Sequence, residues 1–513
     1  MAELRLAELV TALSLATDLG MGQPMEHALR TCLVSLRLGE ALGLRGEQLG
    51  DVYYVALLRF LGCTADAHET AAAVGGDDIA FRAAVAPVLG GSTLDILGHI
   101  VTGLGRGQGL LGRARAVGGA LINDAGISRG VVAHCELAEN LARRLGLGPG
   151  ARRGLAHALE RWDGHGLPAG LAGEQIELSS RIVYLARDID VLQGLGEPDE
   201  VRAIVSRRRG AAYDPAVVDA FERYGSALVE EIGAGSVWER VMEAEPEPRV
   251  RVAESDLDGV LEVFADFVDL KSPFTVGHSR GVAALAGAAA APFGLPAGEA
   301  EALRRAALVH DLGSVGVPNG VWDKPGPLSD ADWERVRLHS YYTERILARS
   351  PALAPLTEIA GRHHERLDGS GYHRGGGAAP SDAARLLAVA DAYQAMSQPR
   401  PHRRAREPDD AAAQLNAEVA AGRFDRGAAG AVLHAAGQRV APTRRAWPAG
   451  LTDREIEVLR LISRGLSKRQ VAEALVIAPA TADHHVRHIY DKIGVSTRAG
   501  AAVFALEHDI LPK

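Results

Sequence analysis

This 513-residue chain reads as all-α: two tandem helical domains followed by a small four-helix module. Three observations predict it. Hydrophobic residues make up 47% of the chain but aromatic residues only 5%, a balance that favours Ala- and Leu-rich helices over β-sheet. Apolar residues recur at helical spacing between turns marked by Gly and Pro, with few β-branched runs. One order of chemically distinctive residues also occurs twice, which points to a duplicated helical unit.

Residues 241–254, with Glu-Pro-Glu-Pro at 245–248, and residues 439–450, with Pro442, Arg444, Arg445 and Pro448, combine proline with charge and read as linkers. They bound domains at 1–240, 255–438 and 451–513. The net charge of −9 gives no global field toward nucleic acid, so DNA contact must come from a local patch. Cys32, Cys63 and Cys135 lack CxxC spacing, which suits a reducing compartment. No apolar run reaches the roughly 18 residues of a membrane span, and the start Met-Ala-Glu-Leu-Arg carries no export signal. The expectation is a cytoplasmic protein with no membrane partner.

The first domain shares its pattern with the second. His27 precedes Arg59 by 32 positions, as His278 precedes His310, and His134 precedes Trp162 by 28, as His339 precedes Leu367. Glu160-Arg-Trp-Asp-Gly-His-Gly-Leu-Pro168 echoes Glu365-Arg-Leu-Asp-Gly-Ser-Gly-Tyr-His373, and the first copy holds about 46 extra residues between Arg59 and His134. The copies part at their polar positions. Arg59-Phe60 stands against His310-Asp311, Ala158-Leu159 against His363-His364, and Arg187 against Asp391. The remaining imidazoles, His27 and His134, make a poor site for two divalent ions. Two roles stay open for this half: packing or dimerisation, and a pocket in which Arg59 and Arg187 bind an anion, since guanidinium matches phosphate or carboxylate geometry.

The second domain concentrates metal-ligating side chains: His278, His310, Asp311, His339, His363, His364 and Asp391. Mixed imidazole and carboxylate sets suit iron, manganese or zinc, and a set this large can hold two ions. Two ions roughly 3.5–4 Å apart can clamp a phosphodiester. Adjacent residues on a helix point about 100° apart, so neighbouring ligands can serve different ions.

Over roughly 255–438 these residues resemble the HD-GYP subgroup of the HD phosphohydrolase superfamily. The resemblance runs through Lys271-Ser-Pro-Phe-Thr-Val-Gly-His-Ser-Arg280, His310-Asp311, Asp323-Lys-Pro-Gly-Pro-Leu328, His339, His363-His-Glu-Arg-Leu-Asp-Gly-Ser-Gly-Tyr372 and Ala390-Asp-Ala-Tyr393. It implies a helical phosphodiesterase with two divalent ions on the seven ligands above, acting on cyclic di-GMP or a related cyclic dinucleotide. It also implies that Asp311, Lys324, Gly369, Gly371 and Tyr372 surround the reacting phosphate. The chain departs from the pattern at Ser314 (lysine in the family), at His373 (the proline of Gly-Tyr-Pro) and at Phe274 (a glutamate in three-metal members), so two ions are the most expected. A lysine at 314 would have stabilised charge at the phosphate. By the repeat, residues 1–240 are a degenerate HD-type copy without the metals.

Residues 451–513 fit the LuxR-type helix-turn-helix. Thr452 followed by Glu455 is a capping box, Gly465 ends that helix, and Ser467 caps the next, Lys468 to Leu475. The recognition helix runs through Thr481 to Lys492 and starts at Pro479 behind Ala478, and such a helix enters the major groove. Lys468, Arg469, Arg487 and Lys492 are expected at phosphates, and Asp483, His484 and Arg487, with Thr481 at the helix start, near base edges. From Pro448 on, nine basic residues meet eight acidic ones, so affinity would rely on clustering and on two modules in a homodimer.

The combined expectation is a transcription regulator that binds double-stranded DNA and senses or hydrolyses a cyclic dinucleotide or other phosphate-bearing ligand. Two alternatives stay open: a phosphodiesterase with an accessory DNA module, and a catalytically silent metal or nucleotide sensor.

Overall fold

The computed structural model describes residues 3–91, 124–232, 235–374, 379–437, 447–508 and 510–511. Most of the 439–450 stretch, and His99, lie outside the described residues. The described chain forms 24 helices and one pair of three-residue strands, and it divides into two compact units, Met1–Leu257 and Asp258–Lys513. No described helix is long and apolar enough to cross a membrane. The three cysteines are buried and form no disulfide among the described residues.

The first unit is built around the helix Leu6–Gly20, in which Leu6, Leu9, Val10 and Leu13 have no exposed surface. A helix covered on all sides belongs in a core. Two of its hydroxyls bond within the helix, as Ser14 donates to the Thr11 carbonyl and Thr17 to the Ser14 carbonyl, both at 2.8 Å. The helices His27–Ala41, Glu47–Leu58 and Leu178–Gln193 complete this core.

Residues 241–254, expected to form a linker, are instead folded into this unit. The strand Arg251–Ala253 pairs antiparallel with Glu3–Arg5. Buried Glu245 receives a hydrogen bond from Arg5 Nε at 2.7 Å and one from the Tyr54 hydroxyl at 3.0 Å. Charge at Glu245 reads as solvent-seeking in the sequence, yet it is the partner of a buried hydroxyl and a guanidinium.

In the second unit the helices His278–Phe293, Ala297–Val309, Asp330–Leu347 and Asp382–Met396 surround the clustered histidines. The last four helices, Asp453–Ser463, Lys468–Leu475, Pro479–Ile493 and Arg498–Glu507, share a core of Ile456, Leu459, Val471, Val486 and Ile489. Thr452 with Glu455, and Ser467 with Gln470, form capping boxes. This module rests on the segment just ahead of His278. Val276 packs against its core, and a Cβ on Gly465, whose φ is +84°, would lie 2.1 Å from Pro273 Cβ.

The duplication is visible in backbone detail. A Cβ on Gly62 would lie 2.0 Å from the His134 carbonyl oxygen, and one on Gly313 would lie 2.1 Å from that of His339. Asp18 accepts the backbone N–H of Ala28 at 3.1 Å, as Asp269 accepts that of Ser279 at 2.8 Å. The residue before each histidine-led helix, Glu26 or Gly277, has a left-handed backbone with φ of 71° or 77°.

Candidate metal centre and nucleic-acid interface

The sequence-predicted ligands converge in the second unit. His278 opens one helix, His310 follows the end of another, His339 lies mid-helix, and Asp391 projects from Asp382–Met396. Their donor atoms fall into two groups, each within 4.8 Å: His278, His310 and Asp311 in one, and Asp311, His339, His363 and His364 in the other. Asp311 belongs to both. One of its oxygens lies 3.6 Å from His310 Nε2, and the other lies 3.3 Å from His339 Nε2 and 3.6 Å from His363 Nε2. Asp391 reaches both groups too, at 3.1 Å from His278 Nε2 and 3.7 Å from His364 Nδ1.

The imidazoles are held in one orientation by their own helices. Nδ1 of His310, His339 and His363 donates to the carbonyl three residues earlier, at 2.8, 2.5 and 2.6 Å. A carbonyl only accepts, so each Nδ1 carries a proton, and each ring turns its Nε2 into the site as the atom that ligates a cation once it is deprotonated. Nε2 of His339 and of His363 are 3.1 Å apart, and Nε2 of His310 is buried with no partner among the described residues. Lone pairs facing one another in a buried space repel unless a cation lies between them. The donor set therefore fits divalent metal, with nitrogen and carboxylate oxygen as ligands.

The electrostatics agree. Burial pushes the Asp311 carboxyl up, but the imidazoles of His310, His339 and His363 around it hold it well below the usual carboxylate range. Burial likewise opposes charge on Asp391, but the imidazoles of His278 and His310 beside it hold its pKa well below the usual carboxylate range. Burial, together with repulsion from His363 and His339, keeps His364 neutral. Both carboxylates are thus charged and His364 is an open ligand.

The residues expected around the substrate divide. Tyr372 lies at the site, its ring 4.3 Å from that of His364 and 5.8 Å from that of His339, and burial pushes its phenol up to about 12. Gly369 and Gly371 shape the loop that delivers it. Gly369 has φ of +78°, and a Cβ on Gly371 would lie 2.6 Å from the Glu365 Cα. Lys324 points elsewhere, donating to Asp332 at 2.6 Å, because that carboxylate caps the start of Asp330–Leu347 close by. His373 takes the place of the family proline as a polar residue, 3.3 Å from Glu344 and 3.2 Å from the Ser340 hydroxyl. Two neighbours escaped the sequence reading. Gln398 Oε1 accepts from His278 Nδ1 at 2.9 Å, and Trp322 sets its ring 5.7 Å from His339. The only signal for Gln398 was its place seven residues after Asp391.

In the first unit, Phe60 stacks on His27 at 6.1 Å, and His134 bonds the Arg59 carbonyl at 3.1 Å. Arg59 and Arg187 are both buried.

On the recognition helix Pro479–Ile493, Thr481, His484, Arg487 and His488 are exposed. The rings of His484 and His488 stack at 5.1 Å, and His488 is the member of this face that the sequence reading left out, although the four-residue spacing was its signal. Asp483 is clasped by Lys468 and Arg487, which lower its pKa to about 2. The expected phosphate contact Lys492 turns inward, donating to Glu455 at 2.7 Å and to the Gly450 carbonyl at 3.2 Å. Arg469 is exposed and pairs with Glu473 at 3.1 Å.

Comparison with known proteins agrees with both halves of this picture. The HD domain family matches residues 262–427, and the luxR family of bacterial regulatory proteins matches residues 449–505. The 3′3′-cGAMP-specific phosphodiesterase 3 of Vibrio cholerae is 33% identical over 413 residues, covering 80% of this chain and 90% of its own length. A cyclic di-GMP phosphodiesterase of Thermotoga maritima is 36% identical over 153 residues, covering 29% of this chain and 42% of its own length. A crystal structure of a cyclic GMP-AMP specific phosphodiesterase from V. cholerae superimposes with a TM-score of 0.59 at 29% identity, covering 86% of this chain and 99% of that one. The chain belongs to the metal-dependent HD-GYP phosphodiesterase family and joins that fold to a LuxR-type DNA-binding domain.

Proposed function

We propose that this chain hydrolyses a phosphodiester bond of a cyclic dinucleotide, 3′3′-cGAMP or cyclic di-GMP, and couples that chemistry to transcription inside the cell. The observation that carries the reading is the pair of donor groups joined at Asp311. His278, His310 and Asp391 would hold one divalent ion, and His339, His363 and His364 the other, with Asp311 shared; iron, manganese or zinc suits these ligands. Bound there, such ions polarise phosphoryl oxygens and make water a stronger acid. The chain's own residues do the rest. Asp311 and Asp391 supply the negative charge that holds cations, the helix carbonyls fix the imidazoles, and Tyr372 lies beside His364 to orient the substrate. Thr481, His484 and Arg487 would meet base edges, with Lys468 and Arg469 on phosphates and two chains pairing on one operator.

Ser314 favours a second reading, a silent sensor, because a neutral hydroxyl stands at the position of the family lysine. One experiment separates them: metal content by plasma mass spectrometry, with 3′3′-cGAMP and cyclic di-GMP hydrolysis on the same sample after Mn²⁺ or Fe²⁺ is added. About two ions per chain with turnover that vanishes in H310A/D311A is the expected result. Bound metal without turnover leaves the sensor, and no metal ends both readings.

A further inference from the structure

We propose that the first unit binds a phosphate group, free or at the end of a nucleotide, between the buried guanidiniums of Arg59 and Arg187. The two side chains are 2% and 1% exposed, so water does not satisfy them. Nε and Nη1 of Arg59, and Nε and Nη2 of Arg187, have no hydrogen-bond partner among the described residues. Each buried N–H left without an acceptor costs free energy, and each unpaired charge costs more, so four such donors on two neighbouring cations call for an anion.

The available carboxylates do not supply it. Arg59 is flanked by rings, 4.9 Å from the Tyr184 centroid and 5.8 Å from that of Phe60. Arg187 has Asp188 at 2.6 Å, but Asp188 also serves Arg208 at 3.4 Å and the Tyr213 hydroxyl at 2.6 Å. Asp190 is committed to His27 and Arg30, and Glu160 to the backbone N–H groups of Ala169 and Leu171. Three guanidiniums, Arg59, Arg187 and Arg208, therefore share the one carboxylate of Asp188. The surplus of positive charge, with the unpaired donors, suits an anion such as a phosphate monoester or hydrogenphosphate. Burial, followed by repulsion from Arg187, lowers the Arg59 pKa to about 10, the direction expected of cations that lack their counter-ion. His27 Nε2, buried and likewise unpartnered, presents an acceptor to a P–OH group while its Nδ1 donates to Asp190 at 2.6 Å.

The place is as telling as the charge. Arg59 and Arg187 occupy the positions that His310 and Asp391 hold in the second copy, and the Gly62 and Gly313 contacts show that the two backbones correspond. A cation site has been rebuilt with cations, and forked donors suit the tetrahedral oxygens of phosphate.

The test uses the full chain carrying H310A/D311A, so that the metal centre cannot compete, titrated calorimetrically with inorganic phosphate and with the linear dinucleotide pGpG. One-to-one saturable binding is expected, weakened at least tenfold by R59M and by R187M in samples whose circular dichroism matches the parent. If either variant fails to fold, R59K and R187K replace it; they keep the charge without the fork and are expected to bind more weakly than the parent. Thermal unfolding of the parent should rise with phosphate at constant ionic strength and not with chloride. Tenfold tighter pGpG would identify a nucleotide end as the ligand, and equal affinities free phosphate. No saturable binding, binding indifferent to both arginines, or equal stabilisation by chloride overturns the proposal.

Discussion

Asp311 shows how much one side chain can carry. It touches both donor groups, so Asp311→Asn, which keeps its size and removes its charge, should cost both ions rather than one. Metal analysis is expected to fall from about two per chain to well under one, and an Asn variant that keeps both would contradict a shared ligand. Gln398 acts at one remove, fixing His278 through Nδ1. Gln398→Ala should weaken metal affinity by about 10–100-fold, the usual effect of losing a partner behind a ligand, with the fold intact by circular dichroism. Glu455 gives a pH signature. Although partial burial opposes its charge, Lys492 and Thr452 hold its pKa at about 2, below the roughly 4.3 of an unfolded chain. Its contribution is thus fully present above the unfolded value and lost as pH falls toward 2. The melting temperature of the C-terminal module should decline through that window, and E455Q should flatten the decline. The seven side chains that converge in the second unit were legible in the sequence because imidazole and carboxylate at matched spacing have few other uses. Gln398 was not, because its role follows from where the chain returns after Asp382–Met396. The bond of Lys324 to Asp332 at a nearby helix start was not legible either.

Elements show where local rules suffice and where packing decides. The capping boxes at Thr452 and Ser467 were readable, since an N-cap and its third residue settle their bonds locally. The glycine between two elements was not. Gly313 lets the short turn Leu312–Gly316 press on the carbonyl of His339, a contact between residues far apart in sequence. Gly313→Ala should cost about 1–3 kcal/mol, the range for overpacking, and shift His339; a melting curve and metal content on one sample will show both. On the recognition helix, Asp483 occupies Lys468 and Arg487. Removing it in Asp483→Ala frees two cations, so DNA binding should tighten and its salt dependence steepen by about one to two phosphate equivalents. An unchanged slope would mean those cations already lie on phosphates.

For the molecule as a whole, the duplication was the most informative feature of the sequence, and the structure repeats it down to single close approaches at Gly62 and Gly313. What the sequence misjudged was a boundary. Prolines and charges at 241–254 resembled a linker, whereas Glu245 and the strand Arg251–Ala253 belong to the first unit. Proline reports that a helix ends, not that packing ends. The other junction is closer still. Val276 packs against the core of the DNA module two residues before His278. A segment held at both ends makes two binding equilibria one thermodynamic cycle. Whatever factor metal imposes on operator affinity, the operator must return to metal affinity. Titrating each with and without the other should give one ratio from both directions, and Val276→Ala should bring it toward unity.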